Sequence, residues 1–226
     1  MKKIFALLII FALSFTFFSC TDSKANKRVP GQAETKFEDI QKPKKNVNFK
    51  YDYGPESEIV VTESTDIFPA EFKGKYIFSS GVGAWSTELR LSPDGSFTGK
   101  YTDSNSGEAG NNYDSTLYVC DFDGKFKIAG NIDEHSYYAT VSELSFGDKR
   151  EVIKDRVRYV YTSPAGLKKG ERFVLYTPET PIGILDDDFL FWRYCMTGDG
   201  ENQSPALDLY GLYNIDSKYG FFSFEY

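Results

Sequence analysis

The sequence predicts a mainly β fold, an antiparallel up-and-down β-barrel with one short helix near the C-terminus. Three observations predict it. From about residue 71 onward, apolar and polar positions alternate in short segments separated by Gly, Asp, Asn and Pro, the pattern of half-buried strands joined by turns. One window, 185–196, breaks that period and places apolar residues four, three and four apart, the spacing of a helix face. Short antiparallel strands must close into a barrel or stack as a sandwich to hide their edges. The hairpin-length connections along most of the domain favour an up-and-down barrel over a Greek key.

Residues 1–20 stand apart. Lys2 and Lys3 precede a run, residues 4–18, that is apolar except for Ser14 and Thr16, and Ser19-Cys20 follows. A basic start, an apolar stretch and a small residue before the cleavage position make a secretory signal. The run is short for a membrane-spanning helix, which needs about 20 apolar residues. Ser19-Cys20 resembles the end of the lipobox of bacterial lipoproteins, which implies lipidation of Cys20 and a place on the outer face of the cytoplasmic membrane, cell surface or periplasmic side. An uncleaved helical anchor is the alternative; in both cases Lys2 and Lys3 stay inside.

Residues 21–70 read as a tether. Residues 21–50 hold 8 basic and 4 acidic residues and no apolar period, so they bury no core and behave as a solvated spacer. Within residues 51–70, positions 59–62 read as a first edge strand. Residues 71–226 form the β domain, with 16 basic and 24 acidic residues. That acidity excludes nucleic-acid recognition, which needs a basic footprint, and about 156 residues suit one domain with one core.

Inside the domain, residues 87–91 alternate apolar and charged positions. Pro93-Asp94-Gly95 turns the chain, and Phe97, Gly99 and Tyr101 share one face of the return strand. Asp-Gly between alternating segments is a strong hairpin signal. The same reasoning predicts a second hairpin, residues 117–122 and 125–128 around Asp123-Gly124. Residues 137–144, 157–162 and 172–176, rich in Tyr, Val and Phe, are further strands. In the helical window Asp186, Asp187 and Asp188 suit an N-terminus, Leu185, Phe189, Trp192 and Met196 share a face, and Gly198 ends it. Residues 207–214 and 219–224, around Asp216-Ser217-Lys218, make a closing hairpin.

Three stretches carry a family resemblance: Phe72-Lys73-Gly74-Lys75-Tyr76, Gly83-Ala84-Trp85-Ser86-Thr87-Glu88-Leu89, and residues 92–99. Together with residues 122–126, 132–134 and 209–214, they resemble clostridial-type membrane lipoproteins that carry one extracytoplasmic β domain. That family implies no established activity or site. A looser likeness is to lipocalins, whose first strand carries Gly-x-Trp, as Gly83-Ala84-Trp85 does, and it implies a lipocalin-like barrel. The later Thr-Asp-x-x-Tyr pattern of that family is absent after Thr102-Asp103.

Signatures of catalysis are missing: the sequence has no Gly-x-Ser-x-Gly, no His-Glu-x-x-His, no Cys-x-x-Cys and no phosphate-binding Gly-rich loop. The one histidine, His135, falls in a strand connection beside Asp133-Glu134 and reads as a turn residue. Asp121 and Asp123 suit a turn, the Asp run at 186–188 suits a helix start, and neither fits a calcium loop. No catalytic, cofactor or metal residue is therefore assigned. Cys120 and Cys195 are too few for a disulfide scaffold, and either one bridge or two free thiols fits them.

The functional lead is aromatic. With 16 Tyr and 20 Phe, residues such as Trp85, Tyr101, Tyr118, Tyr159 and Trp192 either fill the core or line a surface that stacks on glycans or packs on apolar ligands. The sequence thus predicts a membrane-tethered extracytoplasmic binding or interaction lipoprotein, its partner a small apolar or glycan ligand or an envelope component. A carboxylate-dependent hydrolase of envelope polymers and a structural surface protein without a ligand are the alternatives.

Overall fold

The computed structural model describes residues 59–81, 83–198 and 204–223. The predicted signal, Cys20 and residues 21–58 of the predicted tether lie outside them. Among the described residues the strands are β1 (Glu63–Ser64), β2 (Gly74–Ser79), β3 (Trp85–Leu91), β4 (Ser96–Asn105), β5 (Ser115–Asn131), β6 (Ser136–Phe146), β7 (Arg150–Lys154), β8 (Val157–Tyr161), β9 (Arg172–Tyr176), β10 (Gly211–Asn214) and β11 (Tyr219–Ser223). The α-helix is α1 (Asp187–Thr197).

Strands β2 to β6 form an antiparallel meander, β6 passes to β9, then β10 and β11, and β11 returns to β2. The result is a closed eight-stranded antiparallel barrel in up-and-down order. Among the described strands, the β7–β8 hairpin alone interrupts that order. The barrel follows from alternation: in β3, Trp85, Thr87, Leu89 and Leu91 are buried while Glu88 and Arg90 are exposed. The registered neighbours Tyr76, Phe78, Phe97 and Tyr101 are buried as well.

The predicted turn at Asp123-Gly124 is overturned, because both residues lie inside the single 17-residue strand β5. Gly124 pairs with Phe97 and Gly99 pairs with Phe122. A Cβ on Gly99 would lie 2.2 Å from the Phe122 ring, and one on Gly124 would lie 2.5 Å from the Phe97 ring and 2.3 Å from the Glu143 carbonyl oxygen. Each glycine leaves room for a ring across the strand, which is a packing use of glycine and not a turn. The edge strand falls at Glu63–Ser64, pairing with Asn131 and Gly130, instead of at 59–62. Burial starts before residue 71, since Phe68 is buried and packs on Phe72 at 6.5 Å. Residues 207–210 carry no regular strand pairing, and the closing strand begins at Gly211.

Asp186 caps α1 by accepting a hydrogen bond from the Asp188 N–H, and Gly198 ends it in the left-handed region, as the sequence predicts. The helix packs outside the wall on β11 and β2. Phe189 meets Tyr176, Tyr213 and Phe222 at 5.1, 5.6 and 4.9 Å. Gly211 makes this approach possible, because a Cβ there would stand 2.4 Å from the Phe189 ring.

Candidate functional site

The barrel interior is filled by side chains and by a backbone segment. Phe78 sits at its centre, with Trp85, Trp192 and Tyr219 at 4.8, 4.8 and 4.7 Å and Phe221 at 5.2 Å. After β8 the chain crosses one end of the barrel. Thr87 Oγ1 donates to the Ala165 carbonyl at 2.9 Å, and Asn214 Nδ2 donates to the Gly166 carbonyl at 2.9 Å and to Glu171 Oε2 at 2.8 Å. Gly166 has φ +81° and presses against Phe78 and Phe221. This crossing segment has no apolar period, so the alternation that reveals the strands gives no sign of it.

Four of the five aromatic candidates gather at this end. Trp85 is 1% exposed and Trp192, on α1, reaches over it at 6.1 Å. The Trp192 indole donates to the Lys218 carbonyl at 2.9 Å. The Trp85 indole N–H, for which a partner is expected, has none among the described residues. Tyr101 is buried and its hydroxyl donates to Asp103 Oδ2 at 3.3 Å. Tyr118 donates to Glu108 Oε2 at 2.9 Å.

Asp103 is the residue that sequence reading missed. It occupies the next inward position after Phe97, Gly99 and Tyr101, and it pairs with Trp85 across β3. Extending that alternation by two residues places a carboxylate inside the barrel. Burial raises the Asp103 pKa above the ordinary carboxylate value, opposed in part by the hydrogen bond from Tyr101. Burial, and then the neighbouring Asp103, raise the Tyr101 hydroxyl in turn. Cys120, opposite Tyr101, is pushed up to about 11, chiefly by burial, so it stays a neutral thiol. Cys195 on α1 is raised by burial too, and both thiols are free.

The fifth candidate, Tyr159, is elsewhere. Strand β8 pairs in parallel with residues 115–119 of β5, while β6 pairs with residues 122–131, so the wall forks and the β7–β8 hairpin departs at the fork. Tyr159 registers with Leu117 and with Val152, on the outer side of the hairpin. The inner side carries Val160 and Ile153 beside a charged cluster: Arg158 donates to both Glu151 oxygens at 3.0 and 2.7 Å and to Glu108 at 3.1 Å. The Arg158 hydrogen bond holds Glu151 below its usual range. Arg156 pairs with Asp114 at 2.7 Å, which ties the hairpin tip to the loop before β5.

Two grooves lie on the wall, each too small for a drug-sized ligand. One, of about 210 Å³, runs between Lys75, Glu88, Arg90, Thr98 and Lys100. The other, of about 160 Å³, lies at the fork beside Asp121, Gly147, Arg150 and Tyr161. His135 is held in its turn through its backbone, whose N–H donates to Asp133 at 2.8 Å. No group of three or more His, Cys, Asp or Glu suited to a metal ion occurs among the described residues, and none of their helices is long and apolar enough to cross a membrane. Comparison with protein-family models, with curated proteins and with solved structures finds no match to this chain.

Proposed function

We propose that this chain is a membrane-tethered extracytoplasmic interaction lipoprotein, held at the outer face of the cytoplasmic membrane by lipid on Cys20. In this reading it works through the outside of its barrel on an envelope partner. The observation that carries this is the filled interior: Phe78, Trp85, Trp192, Tyr219 and the 165–166 backbone occupy the space in which a barrel carrier would hold a ligand. A small apolar or glycan ligand would have to displace packed aromatic rings, and interiors at close-packed density do not yield that volume without loss of contacts. What is left for recognition is the surface, where the hairpin carries exposed apolar residues.

The test has two arms. Labelled fatty acid should enter the wild-type protein and not Cys20→Ala, which should accumulate as precursor; absence of label on wild type would remove the tether. In the second arm, tryptophan fluorescence is followed while an apolar dye or a glycan fragment is added. Because Trp85 and Trp192 are both buried in the packed end, the spectrum should not move. A saturable shift that Trp85→Phe abolishes would move the chain to the ligand-carrier class.

A further inference from the structure

Closure removes every edge from the eight-stranded barrel, and the hairpin restores one. Strand β7 pairs with β8 on one side only, and among the described residues no strand covers its other side. All five of its residues are exposed, with Val152 45% and Ile153 49% open to solvent. The tip is a two-residue turn in which Asp155 and Arg156 have φ of 51° and 61°, and it closes on the pair Lys154 and Val157. In such a turn the flanking residues exchange both backbone hydrogen bonds. Alternation then aims the N–H and C=O of Lys154, Val152 and Arg150 at β8, and those of Glu151 and Ile153 at the open side.

We propose that this open edge of β7 receives an extended peptide segment carrying a carboxylate, an apolar residue and a carboxylate at alternate positions. The proposal rests on the interaction reading above and names the surface and the partner chemistry. The side-chain pattern of β7 selects the occupant. Arg150, Val152 and Lys154 share the outer face with Tyr161, Tyr159 and Val157, their registered neighbours on β8. Arg150 stacks on the Tyr161 ring at 4.4 Å. On the opposite face Glu151 is paired with Arg158, a cation that it shares with Glu108. The outer face offered to an added strand is cationic, apolar, cationic, on a domain that is acidic as a whole. An added antiparallel strand would meet Arg150, Val152 and Lys154 as non-hydrogen-bonded pairs, the closer kind, where opposite charges attract across the strand.

The same charges exclude a second copy of this strand. Self-pairing with the hydrogen bonds that Glu151 and Ile153 can make admits three symmetric registers. Centred on Val152 it opposes Arg150 to Lys154, centred on Glu151 it opposes two carboxylates, and centred on Ile153 it opposes Glu151 to Asp155. Each sets like charges face to face, a device known from edges that must avoid their own kind. The hairpin is also pre-ordered by Arg158–Glu151, Arg158–Glu108 and Arg156–Asp114, so binding does not have to order the receiving strand.

The experiment uses the full chain in detergent micelles and three fluorescently labelled peptides built on Thr-Glu-Thr-Val-Thr-Glu-Thr, its Lys counterpart and its Gln counterpart. Fluorescence anisotropy should rank them acidic, neutral, basic, with about tenfold between the first and last, because two cross-strand pairs turn from attraction to repulsion. Ile153→Pro, which removes an outward N–H and leaves the bonds to β8, should abolish binding of the acidic peptide with an unchanged melting temperature. Lys154→Glu, at an exposed site, should narrow or reverse the ranking. Equal binding of the three peptides, no binding by any of them, or ranking untouched by Lys154→Glu would overturn the proposal. So would concentration-dependent self-association that Ile153→Pro abolishes, which would give the edge to a second copy. None of these outcomes touches the barrel dye titration, which tests the interaction reading separately.

Discussion

The barrel wall at β3–β4 and the β7–β8 hairpin are both antiparallel pairs of similar residue types, yet they are held together by different physics. In the wall, every second residue is sunk among aromatic rings. In the hairpin, β7 is exposed throughout, and order comes from a two-residue turn, a cation stacked on a ring and charged pairs at 2.7–3.1 Å. The first arrangement gives stability by burying area, the second gives shape with little burial. A region of the second kind can change its outer residues without threatening the fold, which is what a recognition surface needs.

That contrast is sharpest for large-to-small substitutions. Trp85→Ala should cost about 3–5 kcal/mol, the range for emptying a core aromatic site; denaturant unfolding measures it, and a loss comparable to that of a surface change would mean the packed end is not the anchor of the barrel. Gly124→Ala should cost about 1–3 kcal/mol, because the added carbon meets the Glu143 carbonyl and the Phe97 ring and overpacking strains both. In a β-turn glycine the same change would be read by turn geometry alone, so pairing it with Phe97→Leu, which should relieve part of the loss, separates the two explanations.

A smaller effect depends on pH. The folded-state pKa of Asp103 is raised above its unfolded value by burial. The folded state therefore holds the proton more tightly, and the associated stability is present at pH below the unfolded carboxylate value. It is lost as pH rises from there through the folded pKa. Asp103→Asn should flatten that part of the stability profile and raise the melting temperature at neutral pH, while leaving the profile on the alkaline side parallel to wild type. Smallest of all, Val152→Thr on the open face of β7 should change stability by no more than about 0.5 kcal/mol. A loss as large as that of Gly124→Ala would show that the hairpin is part of the cooperative core and erase the distinction between the two regions.

Much of the barrel was readable in advance because period-two burial leaves a direct imprint on sequence. The run Trp85, Thr87, Leu89, Leu91 and the cap and stop at Asp186 and Gly198 name their own elements. Gly124 misled because Asp-Gly is chemically the same pair whether it turns a chain or makes room for a ring; only the partner strand decides. Strand β7 was invisible because all its residues face solvent, so no alternation marks it, and its turn places Asp155 and Arg156 in a conformation usually given to Asn-Gly. Of the site, Trp85, Trp192, Tyr101 and Tyr118 were found by their aromatic character, but their gathering at one end depends on registers that join residues far apart in sequence. Tyr159 was found by the same criterion and stands apart, on the hairpin.

The seam between β11 and β2 carries a consequence for how the chain acquires its structure. Phe222 pairs with Ile77 and Ser223 with Tyr76, so the strand that seals the barrel is made last and must find the one made nearly first. Until it arrives, β2 has an unpaired edge and Phe78 lacks Phe221 and the helix that covers it. Such a distant pairing is slow to form because the whole intervening loop must be closed before any contact rewards it. The meander β2–β6 thus stays an open sheet while the chain from β6 to β11 is made, with β6 uncovered until β9 arrives and β2 uncovered until β11 does. Premature termination anywhere before Tyr219 would leave it in that state permanently.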